Sequence, residues 1–113
     1  MKPLPHPPRD QIALPAVLDA LSDETRLAIV ARLAGEGELA CGEFLALGSK
    51  TNLSYHMAKL REAGVVRTRQ DGVFRYMTLR WEDLEARFPG LLQSLLAAIK
   101  RDTASARRKT ARK

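Results

Sequence analysis

Residues 49–79 read "SKTNLSYHMAKLREAGVVRTRQDGVFRYMTL" and carry clear signals for a helix and a hairpin. Ser49 is a good N-cap for a helix, and Gly64 is a good residue to end it. Two β-prone runs then flank Asp71-Gly72, which is a strong signal for a two-residue hairpin turn. The stretch therefore predicts a helix followed directly by a β-hairpin.

The two faces of this predicted helix differ in chemistry. At 100° per residue, Leu53, Met57 and Leu60 share one face and are expected in the core. The opposite face and its flanks carry hydroxyls, an amide, an aromatic ring and cations: Lys50, Thr51, Asn52, Ser54, Tyr55 and Lys59. Such groups hydrogen-bond to phosphates and base edges, whereas a solvated helix more often carries Glu–Lys pairs. The pattern favours a nucleic-acid contact.

The charge of the chain, +6 overall, is unevenly distributed. Residues 100–113 hold seven Lys or Arg against one Asp, while the other 99 residues hold twelve basic and twelve acidic groups. Within that neutral body, residues 50–80 hold seven basic and two acidic groups. A basic stripe and a basic tail indicate a polyanionic partner, although charges that only solvate a surface are the ordinary alternative.

Upstream of residues 49–79, the sequence predicts an arm and three helices. Residues 1–11 are rich in proline and are expected to form a disordered or extended arm. A first helix begins near Leu14, a second is capped by Asp23 and closed by Gly35, and a short third spans about 40–47.

Downstream of the hairpin, residues 82–100 are expected to form one apolar helix. A basic, disordered tail is expected over residues 100–113. The predicted fold class is mostly α-helical with a small β-hairpin, in a single domain over residues 12–99 between the arm and the tail. Helices followed by a polar-faced helix and a hairpin have the order of a winged helix-turn-helix.

Several classes of protein are disfavoured by the composition. No apolar run approaches the ~20 residues of a membrane span, the start lacks a secretory signal, and the single cysteine fits a reducing compartment, so a cytoplasmic protein is expected. Enzyme signatures are also missing, because Cys41 has no nearby histidine in sequence and no glycine-rich phosphate loop occurs. We expect no catalytic residues.

Three segments of the chain carry a family resemblance. "LSDETRLAIVARLA" is similar to the L-x-D-x-T-R-L-x-I-L opening of ArsR/SmtB-type repressors, and "SKTNLSYHMAKLREAGVV" to their S-Q-S-T-V-S-x-H-L-x-x-L-R-x-A-G-L-V recognition segment. "RQDGVFRYMTL" resembles their wing, R-x-G-R-x-x-Y-x-L. The resemblance covers about residues 18–79. It implies a homodimeric bacterial repressor that is associated with the nucleoid and binds an inverted-repeat operator in double-stranded DNA.

The resemblance also implies which residues contact DNA. Lys50 and Tyr55 are expected at or beside base edges, with Thr51 and Ser54 on phosphates. Asn52 and Lys59 are secondary candidates, and the expected wing contacts are Arg67, Arg69, Gln70 and Arg75. The family often has a basic residue after the wing glycine, whereas this chain has Val73, which argues against deep insertion of the wing tip into the minor groove.

Two further residues in the similar segments favour structural roles. His56 lies at the edge of the core face of the predicted helix, so it is interpreted as a packing or hydrogen-bonding histidine rather than a base reader. Arg26 is interpreted as forming a structural ion pair or a phosphate contact.

The first and last helices of the resembling family pack across a two-fold axis. The implied dimer contacts in this chain are Val17, Leu18, Leu84, Phe88, Leu91, Leu92, Leu95, Leu96 and Ile99. A partner subunit would cover the apolar last helix, for which a 113-residue core has limited room. Packing of that helix entirely within its own chain is the alternative.

The metal site of many ArsR/SmtB proteins lacks its ligands here. The family motif E-L-C-V-C-D-L corresponds to "ELACGEF", with Ala40 and Gly42 at the two cysteine positions. Residues 81–113 contain no histidine for the other common site, so we expect no metal and no cofactor. Cys41 lies between the lost ligands and is expected to be buried with Phe44 and Leu45; redox sensing is the alternative.

Three functions are compatible with these features. The favoured one is a sequence-specific dimeric repressor. A sequence-indifferent architectural DNA binder that uses the basic tail is the second, and a winged-helix module that binds other proteins is the third. The sequence identifies no inducer.

Overall fold

The computed structural model describes the backbone of residues 4–111 and the side chains of residues 4–103. Its elements, in chain order, are a 3₁₀ helix Arg9–Gln11, α1 Leu14–Ala20, α2 Glu24–Glu36, β1 Leu39–Ala40, a 3₁₀ helix Cys41–Leu47, α3 Lys50–Glu62, β2 Val66–Asp71, β3 Phe74–Leu79, α4 Trp81–Arg87 and α5 Leu91–Ala111. The predicted fold class, mostly α-helical with a small hairpin, is confirmed.

Two of the predicted helix starts are built as expected. The Asp23 carboxylate accepts the backbone N–H of Arg26 at 3.0 Å and so caps α2. The Ser49 hydroxyl accepts the backbone N–H of Asn52 at 3.2 Å and caps α3. Each cap satisfies one of the amides that a helix leaves unpaired in its first turn.

The end of α2 differs from the prediction. Gly35 lies inside the helix, which continues to Glu36 and ends at Gly37 with φ +82°. The Gly37 amide bonds the Leu33 carbonyl at 2.9 Å. Two glycines separated by one residue are both plausible stops, and the positive φ at the second selects it.

Gly64 ends α3 as predicted. Its amide bonds the Arg61 carbonyl at 3.1 Å, and the amide of Val65 bonds the Leu60 carbonyl at 3.0 Å. These two bonds and the φ of +87° at Gly64 form a Schellman motif. The motif turns the chain from α3 directly into the hairpin, past the side chain of Ile12.

The hairpin is part of a three-stranded antiparallel sheet with the order β1-β3-β2. Its register joins Asp71 to Phe74, so the loop is Gly72-Val73 and the prediction of an Asp71-Gly72 loop is wrong by one residue. Gly72 has φ +61° while Val73 has a negative φ, the pattern of a type II′ turn. Strand β1 was not predicted because its two residues are too short to show alternation.

The predicted single helix over residues 82–100 is wrong, because α4 and α5 are separate. Pro89 disfavours helical geometry at the preceding residue, and Phe88 adopts φ −136° and ψ 76°. Helix α5 then continues through Ala111, so the tail is helical from 100 to 111 rather than disordered. Residues 112–113 of the predicted tail lie outside the described residues.

The arm also differs from the disorder predicted for it. The guanidinium of Arg80 donates to the Pro7 carbonyl at 2.7 Å, and that of Arg87 donates to the Ile12 carbonyl at 2.9 Å. The backbone amide of Thr68 donates to His6 Nε2 at 2.9 Å. Residues 4–11 are therefore fixed against α4 and the outer edge of β2, while residues 1–3 lie outside the described residues.

The core fills the space between the helices and the inner face of the sheet. Its largest fully buried side chains are Phe44, Ile12, Ile29, Leu60, Met77, Val17, Val30, Val65 and Val66. Leu53, Met57 and Leu60 hold α3 against this core, as its periodicity predicts. The opposite face of α3 is thereby left on the surface.

Candidate nucleic-acid interface

The outward face of α3 is exposed and polar. Lys50, Thr51, Asn52, Ser54 and Tyr55 all lie on the surface, and Tyr55 retains 57% of its possible exposure. Its ring meets the ring of His56 edge-on, with the centroids 5.5 Å apart. The N-terminal half of α3 therefore presents hydroxyl, amide, phenol and ammonium groups together, as the sequence predicts.

A buried arginine holds α3 from behind. The Arg26 guanidinium donates to the Ala20 carbonyl and, at 3.0 Å, contacts His56 Nδ1. His56 thus accepts through Nδ1 and carries its proton on Nε2 when neutral. The hydrogen-bonding role predicted for His56 is confirmed. Arg26 is structural, but its side-chain partners are carbonyls and an imidazole rather than the expected carboxylate.

Lys59 is farther from the exposed face and is already paired. Its ammonium lies 3.3 Å from the Asp19 carboxylate of α1. This pair joins α3 to α1 at the surface, where an ion pair contributes little stability. Lys59 would have to leave Asp19 in order to bind a phosphate.

Two of the predicted wing cations are paired as well. Arg69 bonds the Glu38 carboxylate at 2.8 Å and lies 3.8 Å from Asp71. Its hydrogen bond holds the pKa of Glu38 below the usual value. Arg67 lies 3.6 Å from the Asp83 carboxylate. Both guanidiniums are half exposed, so a phosphate could replace these carboxylates only by competing with them.

The remaining predicted wing residues differ from this pair. Arg75 is exposed, and no carboxylate among the described residues lies within ion-pair distance of it. Gln70 is half-buried and has an interaction partner within the chain. Of the four wing residues, Arg75 is thus the one whose charge is open to a new partner.

Part of the positive charge counted in residues 50–80 faces inward. Arg80 is buried, and its guanidinium bonds the Asp83 carboxylate at 2.8 Å as well as the Pro7 carbonyl. Hydrogen bonds from Arg9, first, and from Arg80 hold the pKa of Asp83 below its usual value. The charge excess of this stretch therefore overstates the charge on its surface.

The predicted dimer contacts fall into two groups. Val17, Leu84 and Leu92 are buried in the core of their own chain, where a partner subunit could not reach them. Leu18 is 50% exposed on α1. The other residues of the set are half-buried along α4 and α5: Phe88, Leu91, Leu95, Leu96 and Ile99. Leu18 and the half-buried residues therefore leave apolar surface for a partner, whereas the three buried residues do not.

The cysteine region offers no soft-metal site. Cys41 is half-buried at the start of a 3₁₀ helix, and burial raises the pKa of its thiol. Phe44 is fully buried beneath it, but Leu45 is 55% exposed, so the predicted shared face with Leu45 is wrong. In a 3₁₀ helix the i+3 residue, not the i+4 residue, lies on the same side. Ala40 and Gly42 supply no ligand, so Cys41 is the one thiol in this segment and does not by itself form a thiolate metal site.

The two histidines are engaged elsewhere. His6 receives an amide proton at Nε2 and bonds the Leu4 carbonyl through Nδ1, while His56 is held by Arg26. Across the residues that the structure describes, no group of three His, Cys, Asp or Glu side chains could hold a metal ion. The same part of the chain has no helix both long and apolar enough to cross a membrane.

Comparison with known proteins agrees with this geometry. Residues 21–69 match the family model of a helix-turn-helix domain. An HTH-type transcriptional regulator of Bacillus subtilis, YceK, is 44% identical over 85 residues, which are 70% of this chain and 82% of that protein. This chain belongs to the ArsR family of winged helix-turn-helix transcriptional regulators. Regulators of this family are not enzymes.

Two further proteins are similar to this chain. The arsenic resistance transcriptional regulator ArsR1 of Pseudomonas putida is 38% identical over 77 residues, 66% of this chain and 59% of that protein. The crystal structure of the transcriptional repressor BigR from Xylella fastidiosa superposes with a TM-score of 0.59 and 30% identity, over 75% of this chain and 84% of BigR. A DNA-binding role for the helix-turn-helix follows from this membership.

Proposed function

We propose that the chain is a repressor that binds an inverted-repeat operator as a homodimer, with α3 in the major groove. The observation that carries the proposal is the exposed polar face of α3, whose apolar face is held in the core. Hydroxyl, amide and ammonium groups on a helix of this kind are the donors and acceptors that read base edges and phosphates. The similarity to BigR, a repressor, supports the direction of regulation.

The roles within α3 follow from position. Lys50 and Thr51 open the helix, so their side chains would reach the groove first. Tyr55 lies one turn later, and its exposed phenol would contact a base edge or a neighbouring phosphate. Ser54 and Asn52 lie beside them and would bind the backbone. Arg26 acts behind the interface by fixing the helix through His56.

The homodimer is proposed from the apolar surface that the fold leaves uncovered. Leu18 on α1 is half exposed, and Leu95, Leu96 and Ile99 on α5 are only partly covered by their own chain. Leu96 and Ile99 also border an open groove against α2. Burial of these side chains between two copies would stabilise a two-fold dimer, and its symmetry would require an inverted-repeat operator.

The DNA role is tested by selecting bound fragments from a genomic library and measuring affinity for the best one. Combined Lys50→Ala and Tyr55→Ala should weaken operator binding at least a hundredfold and leave the melting temperature within a few degrees of wild type. Arg32→Ala removes one positive charge from the surface of α2, outside the proposed DNA and dimer contacts, and should change affinity less than twofold. Unchanged affinity in the double variant would contradict the placement of α3 in the groove.

Sequence specificity has its own measurement. Operator binding should persist at a salt concentration at which binding to unrelated DNA is lost, because base contacts add to the phosphate term. If no genomic fragment outcompetes unrelated DNA, the chain is an architectural binder; if it binds no DNA at all, a protein-interaction module is favoured. A reporter gene downstream of the operator should be expressed more strongly when the regulator is deleted.

The dimer is tested by Leu18→Arg, which should shift the chain from dimer to monomer in sedimentation experiments. A charge placed in an apolar interface is costly because it has no partner there. Leu45→Arg changes an equally exposed leucine outside the proposed interface and should leave the dimer intact. A Leu18→Arg protein that still sediments as a dimer would show that α1 lies outside the interface.

A further inference from the structure

The tip of the wing is apolar and exposed. Val73, in the two-residue loop, retains 92% of its possible exposure, and Phe74 beside it retains 60%. No other pair of consecutive large apolar residues in the described part of the chain is exposed to this degree. The one-residue difference between the predicted and observed turn places Val73 at the apex instead of in a strand.

The tip is held in a defined position by the hairpin beneath it. Phe74 pairs with Asp71, the last residue of β2, so the strands stay joined up to the loop. The ring of Phe74 lies 6.5 Å from that of Tyr76, and the Arg69 guanidinium covers the Tyr76 ring at 4.6 Å. The packing orients Phe74 without burying it. Its exposed surface therefore contributes little to the stability of the chain itself.

The charges around the tip favour a polyanion as its partner. Arg75 follows Phe74 directly, is exposed and has no carboxylate partner among the described residues. Asp71, the one acidic residue of the hairpin, lies 3.8 Å from Arg69, which also bonds Glu38, so Arg75 is the cation nearest the tip that no carboxylate of the described residues engages. An acidic partner with an apolar interior would satisfy both parts of this surface. Duplex DNA is such a partner, because its phosphates flank stacked bases.

We propose that Val73 and Phe74 form an apolar wedge that enters the minor groove of bound DNA and partly unstacks one base step, while Arg75 binds an adjacent phosphate. This inference rests on the proposed operator binding and adds a second mode of contact to it. The sequence alone argued against deep insertion because Val73 replaces a basic residue. An apolar side chain suits a different kind of insertion, in which it separates bases instead of lining the groove with charge.

The wedge has two physical consequences. Apolar wedges in the minor groove kink DNA by about 20–90° toward the major groove, and this would close the major groove on α3. Pyrimidine–purine steps unstack most easily, so the operator should contain such a step beneath each wing. The wing would then contribute sequence preference without a hydrogen bond to a base.

The test uses the full chain and its selected operator, carrying a dye at each end for energy transfer. A second set of operators carries 2-aminopurine, whose fluorescence rises on unstacking, at successive positions beside each half-site. Wild-type protein should increase energy transfer and raise 2-aminopurine fluorescence several-fold at one step. Combined Val73→Ser and Phe74→Ser should return both signals to those of free DNA and weaken binding about tenfold.

Two variants control for folding and for loss of apolar surface. Val73→Ile with Phe74→Leu keeps the wedge apolar and should retain the bend. Trp81→Ser removes an exposed aromatic outside the wing and should leave both signals unchanged. Melting temperatures verify that each variant is folded.

The possible results separate the wedge from the proposed function. Wild-type protein that binds its operator tightly but leaves it straight and fully stacked would overturn the wedge and leave the repressor intact. A serine variant that bends DNA like wild type would also overturn it and point to a protein partner for the tip. Failure of wild type to select any operator would overturn the proposed function and the wedge together.

Discussion

Gly64 gives a sharp test of how α3 is joined to the wing. Its φ is +87°, and an added Cβ would lie 2.6, 2.9 and 3.2 Å from three side-chain carbons of Ile12. The left-handed backbone alone costs a non-glycine residue about 1–2 kcal/mol. Overpacking against a fully buried isoleucine adds about 1–3 kcal/mol. Gly64→Ala should therefore lower the free energy of unfolding by about 2–5 kcal/mol.

Gly90 is a control for positive φ alone, since its φ is +81° and nothing lies within 4 Å of an added Cβ. Gly90→Ala should cost only the backbone part, about 1–2 kcal/mol. Urea unfolding followed by circular dichroism gives both values by linear extrapolation. Equal losses in the two variants would refute the close approach of Ile12 to Gly64.

A double-mutant cycle isolates the contact further. Ile12→Ala alone should cost about 2–5 kcal/mol, because it leaves a cavity in the core. In the Ile12→Ala background, Gly64→Ala should cost only the backbone part, so the cycle should show about 1–3 kcal/mol of favourable coupling. Additive losses would mean that Ile12 does not pack against Gly64 at the end of α3.

Three other predictions concern side chains and the tail. Arg26→Met should lower the free energy of unfolding by about 2–4 kcal/mol, because buried carbonyls and His56 lose their hydrogen-bond donor. Urea unfolding of this variant and of His56→Ala would measure the loss. A loss under about 1 kcal/mol for Arg26→Met would contradict the structural role of Arg26. Burial lowers the pKa of His6, so the stability contributed by its neutral form is fully present above about pH 6.5 and is lost as the pH falls. Between about pH 7.5 and 5.5 the melting temperature of wild type should therefore fall more than that of His6→Ala. Equal falls in the two proteins would argue against the hydrogen bond from Thr68 to His6. Deletion of residues 103–113 removes five Lys or Arg, so the slope of log affinity against log salt concentration should become less steep by a few units. An unchanged slope would exclude phosphate contact by the tail.

The parts of the fold that the sequence predicts well are those determined by local chemistry. Ser49 and Gly64 bound α3 because one side chain caps an amide and one backbone adopts positive φ. The buried stripe of Leu53, Met57 and Leu60 follows from helical periodicity alone. The residues of α3 outside this stripe must then face the solvent, and they form the centre of the candidate interface.

The errors occur where one local signal competes with another or with a distant partner. Gly35 and Gly37 are both possible helix ends, and Asp71-Gly72 and Gly72-Val73 are both possible turns. Strand pairing decides the second case, since Asp71 finds its partner in Phe74. Pro89 was available as a signal for the break between α4 and α5, but the continuous apolar pattern on both sides obscured it.

The arm and the ion pairs of the wing needed tertiary information. Proline-rich composition predicts disorder, yet the Pro7 carbonyl of this arm and the Ile12 carbonyl just after it receive bonds from Arg80 and Arg87, more than 70 residues away in the chain. Counting charge in a segment cannot show that Arg80 faces inward or that Arg69 is paired with Glu38. Fewer of the Lys and Arg side chains in residues 50–80 are therefore free to bind DNA than a count from the sequence indicates.

The position of His6 has a practical consequence for protein engineering. Strand β2 is an outer strand, and the chain itself occupies part of its open edge through the bond from Thr68 to His6. Open strand edges recruit other strands, which is a common origin of unwanted oligomers. Removal of residues 1–8 would uncover this edge and allow wing-to-wing association unrelated to the proposed two-fold dimer. Truncations at the amino end should therefore keep His6 when oligomeric state is to be measured.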